Sequence, residues 1–409
     1  MVKQSVLPMS GIFSSQCFGR PQIFAAALLL VFVAECAWLV AHEYPNATRQ
    51  DELARIAEGL AQFHGQGIAG TPGIRSPLST STAASEFYDS HHSPLWSLIA
   101  AAPLAVFHIP PSSLRWLWLT RLPYILLGGL LGASVWYVSR RLYGNAGGYL
   151  ALTLYCFSPA VIRSCTLWAA EPDVAGAWGT FGAVFTAIAV SHTLYAPREV
   201  VLWNWRRIML LGVALTLAVG SQFGLAVVIP VLLASMLYLA PDRNRAGMVI
   251  LVSACLIAIL LLFASYAFHP TLLLQGLKHA RFLDINLHSA GMLGAYKQVM
   301  KEVAGSGPVL LLLFPAALII FLAWPRARYF GNAAPLMMAV LFLVQRVLSP
   351  HAAGSVFSLT AVVFIFVFIS GIVADLLETK SLESVSAVLV GLVAANALWD
   401  LVGLARIGH

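Results

Sequence analysis

Residues Ser85 to Phe107 read "SEFYDSHHSPLWSLIAAAPLAVF". An acid, two histidines and a proline stand directly in front of an apolar run. Whether that run crosses a membrane fixes the sidedness of every helix after it. Between Pro94 and His108 it offers only about 15 residues, and a helix needs about 20 to cross the hydrocarbon core. Length alone favours a segment lying in the membrane interface, and the rest of the chain supplies the test.

The 409-residue chain is 59% hydrophobic and only 10% charged, with a mean hydropathy of +0.82. Soluble domains carry roughly 25% charged residues, so this chain could not cover a water-facing surface. Apolar runs of about 20 residues recur along its length, the mark of an all-α polytopic membrane protein. Expected crossings are 22–41, 118–138, 147–163, 173–193, 207–221, 223–240, 248–268, 307–323, 334–349, 355–374 and 385–404. The net charge of +7 does not indicate a nucleic-acid partner, because Lys and Arg sit in short loops between apolar runs. Cys17, Cys36, Cys156, Cys165 and Cys255 show no metal-ligand spacing and read as small apolar residues. The first run, 23–40, is longer than the apolar core of a secretory signal and no small-x-small cleavage site follows it. It is kept as a membrane helix behind a cytoplasmic segment, 1–21.

Four basic clusters decide the topology: Arg140/Arg141, Arg198/Arg206/Arg207, Arg243/Arg245 and Arg326/Arg328. With the N-terminus inside and 94–108 in the interface, all four fall on the cytoplasmic side. With 94–108 crossing, all four move outside. The positive-inside rule selects the first arrangement, with eleven crossings, or up to about 13 if further segments cross. The outer side then carries a long loop, 42–117, a turn at 164–172, a turn near Gln222, a second loop, 269–306, and a turn at 349–354. Polar chemistry concentrates there. No large soluble domain is expected after the last helix.

Within the first outer loop, Thr48 and Asp51 resemble a capping box, although the usual third-position residue is Glu or Gln. Leu53, Ile56, Ala57, Leu60 and Phe63 then share one helical face, and Gly65 and Gly67 end the pattern. This predicts an amphipathic surface helix over 49–63. Its polar side holds Asp51, Arg55 and Glu58, which read alone as a solvated face. Residues 66–93 are loop-like in composition. Asn46-Ala47-Thr48 is a glycosylation sequon, relevant only where a host modifies it. Glu35 lies inside the first helix, where a carboxylate must be paired, neutral or facing a polar cavity.

The order of these motifs resembles the GT-C superfamily of integral-membrane glycosyltransferases, which includes protein O-mannosyltransferases and aminoarabinose transferases of lipid A. The pattern starts with an acidic pair on an outer-loop helix, similar to "RQDELARIAEGL", which puts the pair at Asp51 and Glu52. A Pro-Pro-Leu-like segment follows, similar to "SHHSPLWSLIAAAPLAVF". Next come "TRLPYILLGGLLGASVWYVSRRLYG", with Arg121, and "LTLYCFSPAVIRSCTLWAAEPDVAG". The second acid aligns at Glu171, with Asp173 its rival. The stretch "VLSPHAAGSVFSLTAVVFIF" faintly resembles the family's late-helix motif. The likeness is best over about 45–195. Ser93-Pro94-Leu95 stands where the family often has Pro-Pro-Leu, and Ala170-Glu171 where it has Thr-Asp or Ser-Glu.

The resemblance implies a GT-C-like bundle and transfer of a sugar from a polyprenyl phosphate to a glycan, lipid or protein acceptor. The membrane implied is a bacterial inner (plasma) membrane, with the site facing the periplasm or exterior. Such transfer needs a positioned carboxylate to take the acceptor's proton, so the resemblance points to Asp51 as base with Glu52 the alternate. Glu171 or Asp173 would orient the acceptor or bind a metal. The leaving lipid phosphate needs cations or N–H groups; Arg163, Lys278, His279, Arg281 and His351 are the candidates, and the motif places Arg121 among the substrate-binding residues. His91 and His92 belong to the site's rim. No cofactor is fixed by the sequence; a divalent metal is possible, with His and carboxylate ligands, although adjacent histidines rarely hold one ion together. Two other readings are a lipid or solute transporter, which would favour inverted repeats and broken mid-membrane helices, and a non-catalytic scaffold of the same fold.

Overall fold

The computed structural model describes residues 20–42, 49–64, 91–108, 114–166, 172–195, 205–283, 285–350, 354–379 and 383–407. They are helical, with no strand among them. Fifteen α-helices follow in order: α1 (Arg20–His42), α2 (Arg49–Phe63), α3 (Leu95–Phe107), α4 (Leu114–Cys156), α5 (Pro159–Thr166), α6 (Asp173–Thr193), α7 (Trp205–Ser221), α8 (Val228–Leu239), α9 (Asn244–Ser265), α10 (Pro270–His279), α11 (Leu293–Gly305), α12 (Leu310–Ala323), α13 (Phe330–Leu348), α14 (Ser355–Thr379) and α15 (Glu383–Ile407). The chain is an integral, multi-pass membrane protein. Among the described residues seven helices are long and apolar enough to cross a membrane, or eight if the pair α11 and α12, bent by 102°, is one span.

The helical segment Trp118–Cys156 runs 39 residues, about 58 Å at 1.5 Å per residue, twice the hydrocarbon thickness. It breaks at Gly144, whose φ of 73° is a left-handed conformation that glycine adopts without penalty. The expected crossing 118–138 lies before the break, and the expected crossing 147–163 begins after it and continues into α5. The expected crossings 207–221, 223–240 and 307–323 fall on shorter helices. The segment 94–108 forms α3, 13 residues long, about 20 Å. Pro94 starts it, and His108, at φ 51°, closes it in the left-handed region.

α14 is the centre of the bundle. Its sequence, "SVFSLTAVVFIFVFISGIVADLLET", is apolar on every side, and its membrane window is entirely buried. A helix without a polar stripe has no face to give to solvent and is enclosed by others. α13, α4, α6 and α12 surround it. Phe364 is fully buried among Phe181, Phe185 and Phe342, at ring separations of 5.4, 6.1 and 6.2 Å. Phe368 packs on Phe314 and Phe321 at 6.1 and 5.7 Å. Phe364→Ala should therefore lower unfolding free energy by about 3–5 kcal/mol, read from denaturation of the detergent-solubilised protein.

Helix direction alternates, so the bundle has two ends. At one, Tyr143 Oη donates to the Gly331 carbonyl at 2.6 Å, Tyr149 Oη to Pro21 O at 3.1 Å, and Asn332 Nδ2 to Asp375 Oδ2 at 2.9 Å. Arg140, Arg141, Arg206, Arg207, Arg243, Arg245, Arg326 and Arg328 gather there. At the opposite end lie α2, α3, α10 and α11. α6 and α7 approach closely because Gly179 has no side chain: a Cβ there would stand 2.5 Å from the Ala218 nitrogen, the small-residue contact that membrane helices favour.

Candidate functional site

The site is built at the end opposite the arginine clusters. The proposed acids, Asp51 and Glu52, occupy the third and fourth positions of α2. α2 rests on α3 at Gly59, where an added Cβ would overlap the Ser97 carbonyl and stand 2.8 Å from Ala101 Cβ. Ile56 is buried beside it, at 1% exposure. The amphipathic helix thus meets α3 backbone to backbone, and its polar first turn is positioned by that seat. Gly59→Leu should lift α2 from α3. The expected result is faster proteolytic cleavage within 49–63, with the thermal transition of the bundle retained.

The histidine motif is a strap. The Phe223 N–H donates to the His91 carbonyl at 2.8 Å, and the Ser93 N–H to the Gly220 carbonyl at 3.0 Å. Ser93 Oγ and Trp96 Nε1 donate to that same carbonyl at 2.9 and 3.0 Å. Gly220 and Phe223 flank Gln222, where α7 breaks into the 3-10 turn Phe223–Val227. A helix end leaves carbonyls without intrahelical donors, and the strap supplies donors to one of them. It pins the start of α3 to the end of α7. His91 and His92 are half-buried, with ring centroids 6.2 Å apart.

Arg121 is 2% exposed. Its Nε donates to the Thr166 carbonyl at the end of α5, and its Nη1 reaches Thr120 Oγ1 at 3.3 Å. The guanidinium thereby closes the C-terminus of the helix leading to the acidic turn. Glu171 and His351 lie outside the described residues. Asp173 opens α6 half-buried, and Ser355 Oγ, at the start of α14, donates to its Oδ2 at 2.7 Å. Lys278 and Arg281 are exposed at the end of α10, and His279 Nδ1 sits 2.8 Å from the Gln275 carbonyl. Arg163 is exposed on α5 and faces Asp400 of α15 across a cavity.

A network that the motifs did not single out joins α11, α13 and α14. Arg346 Nε and Nη2 donate to the two oxygens of Glu302 at 2.9 and 2.6 Å. Gln298 Nε2 adds a bond at 2.8 Å and Ser358 Oγ another, while Arg346 Nη1 donates to Ser349 O at 2.6 Å. Burial pushes the Glu302 carboxyl up; the bonds from Arg346, Ser358 and Gln298 outweigh it and hold the group below the ordinary carboxylate value. Arg346 alone had a readable signal, a charge within an apolar helix. Glu302 stands in a mixed polar stretch that gave none.

Among the described residues no group of three His, Cys, Asp or Glu side chains comes together as a metal site. The described residues alone do not supply a metal centre, and no step below passes through one.

No family model matches the chain, and no curated protein is similar to it in sequence. Solved structures are similar in fold. The Archaeoglobus fulgidus oligosaccharyltransferase AglB, in complex with an inhibitory peptide and a dolichol-phosphate, superposes with a TM-score of 0.58 at 10% identity, covering 95% of this chain and 56% of that one. An Archaeoglobus fulgidus oligosaccharyltransferase in the apo form gives 0.59 at 10% identity, with the same shares covered. ArnT from Cupriavidus metallidurans, in the apo state, gives 0.55 at 13% identity, covering 85% of this chain and 59% of that one. The chain thus shares the fold of AglB and ArnT and spans a little over half the length of these neighbours.

Proposed function

We propose that the chain is a glycosyltransferase that moves a sugar from a polyprenyl-phosphate donor to an acceptor at the non-cytoplasmic face. The observation that carries this reading is the seat of α2: an interfacial helix with an Asp-Glu pair in its first turn, held on α3 at the end away from the arginine clusters, within a fold like that of AglB and ArnT. The gathering of arginines at the other end supports a cytoplasmic location for that end. Asp51 acts as the base that takes the acceptor's proton as the acceptor attacks the anomeric carbon, with Glu52 its alternate. The departing lipid phosphate gathers negative charge and needs donors beside it. Lys278 and Arg281, the exposed cations of the second loop, serve that need, with His91, His92 and His351 at the rim. Arg121 acts indirectly, by closing α5 and so fixing where the loop bearing Glu171 begins. Asp173, tied to Ser355, orients the start of α6.

The test is consumption of a radiolabelled polyprenyl-phosphate sugar by membranes containing the protein. Time-dependent loss of donor with label appearing in an acceptor fraction is expected. Absence of turnover with pentosyl and hexosyl donors alike would refute the transferase reading.

A further inference from the structure

The acids the motifs leave aside, Glu35 and Asp400, lie close together elsewhere in the bundle. Asp400 is 3% exposed and Glu35 6%. Neither oxygen of Glu35, nor Oδ2 of Asp400, has a hydrogen-bond partner among the described residues. Asp400 interacts electrostatically with both Glu35 and Arg163. A buried carboxylate without a partner costs several kcal/mol in a membrane. Asp400 has Arg163 across the cavity, and its Oδ2 is left without a donor among the described residues.

The surroundings say what could come. Asp400 and Arg163 line one cavity of about 240 Å³, with Leu39, Ile162, Trp399 and Leu404. α1 and α15 bound it, and these are marginal helices, only 33% and 28% buried over their membrane windows. Trp399 is 64% exposed and Trp38 43%, and Trp38 Nε1 donates to the Leu404 carbonyl at 3.3 Å. Asp400 stands seven residues before the end of α15, about 10 Å along the axis. Tryptophans gather where membrane helices meet lipid headgroups. The cavity therefore lies between two weakly buried membrane helices, with a carboxylate buried in it and an exposed guanidinium at its edge.

We propose that this cavity is a binding site for an aminophospholipid headgroup, a phosphodiester bearing a primary ammonium. The ammonium donates to the Asp400 carboxylate, and the phosphate accepts from Arg163. The acyl chains run down the exposed faces of α1 and α15. A choline headgroup has no N–H to give Asp400, and a glycerol headgroup brings no positive charge to offset that acid. The site is separate from α2 and from the strap, and it does not depend on the transferase reading.

The experiment is native mass spectrometry of the full-length protein released from nanodiscs holding equal parts of phosphatidylethanolamine, phosphatidylcholine and phosphatidylglycerol. Wild type is expected to retain ethanolamine lipid about tenfold over choline lipid, the worth of one charge-assisted hydrogen bond. Asp400→Asn should bring that ratio close to one. Arg163→Gln should lower retention of all three lipids. The ratio is read within one folded population, so loss of yield in a variant does not obscure it. Equal retention of the three lipids by wild type, or an unchanged preference in Asp400→Asn, would overturn the assignment.

Discussion

Asp51→Asn is expected to lower sugar transfer by about 10²- to 10⁴-fold, the range over which positioned general bases contribute. Asparagine has nearly the same shape as aspartate and offers no site for the acceptor's proton. The lost interaction belongs to the transition state, so kcat should fall while the KM for the donor lipid stays close to wild type. Glu52→Gln, one position along α2, should cost far less, because adjacent helical residues point about 100° apart and only one can face the attacking hydroxyl. Equal turnover in Asp51→Asn and wild type would move the role to Glu52 or Glu171. Matching protein levels in the membranes must be confirmed by quantitative blotting, so that a folding defect is not read as a catalytic one.

Local patterns carried much of the architecture. The apolar repeat marked the membrane helices, and the 3.6-residue period with its capping residues marked 49–63, where α2 runs from Arg49 to Phe63. Charge placement separated the two ends, because arginines in short loops leave a one-dimensional record of a three-dimensional sidedness. The span count was less legible. The merged helix Trp118–Cys156 shows why: its break rests on one backbone conformation at Gly144, and the adjoining "NAGG" allows a loop and a kink equally.

The site was less legible than the fold. Composition marked the histidine motif as polar chemistry next to an apolar run, yet its structural work is done by backbone. The His91 carbonyl and the Ser93 N–H join Phe223 and Gly220, some 130 residues away, and any residues except proline could offer those groups. Arg121 fitted a motif, but its partner is the Thr166 carbonyl, which no side-chain pattern reports. Arg163 was grouped with the phosphate-binding cations by its place near Glu171. The helix that faces it, α15, is over 200 residues later, and only the packing reveals Asp400 opposite. Long-range polar pairs are set by which helices become neighbours, and the apolar repeat that identifies helices says nothing of their neighbours.

Glu302→Gln is expected to lower unfolding free energy by about 3–5 kcal/mol, the cost of leaving a buried charge without its partner. The asymmetry of the pair sets which substitution is worse. The Arg346 side chain is 4% exposed and that of Glu302 20%. Removing the carboxylate takes the counter-charge from a guanidinium enclosed by α13; removing the guanidinium leaves a carboxylate that water can reach. Arg346→Met should therefore cost less than Glu302→Gln, and the double variant should cost less than the sum of the two. The pH dependence has a definite sign. The folded carboxyl is held below its ordinary value of 4.5, so the pair's stabilisation is complete above about pH 4.5 and is lost as pH falls through the folded value. Thermal melts of the detergent-solubilised protein, at neutral pH and near pH 4, should show an acid-induced loss in wild type that is reduced in Glu302→Gln. The same bonds fix α11 across the ends of α13 and α14. A melt that is indifferent to both substitutions would mean that α11 is held by its buried Val299 and Val303 instead.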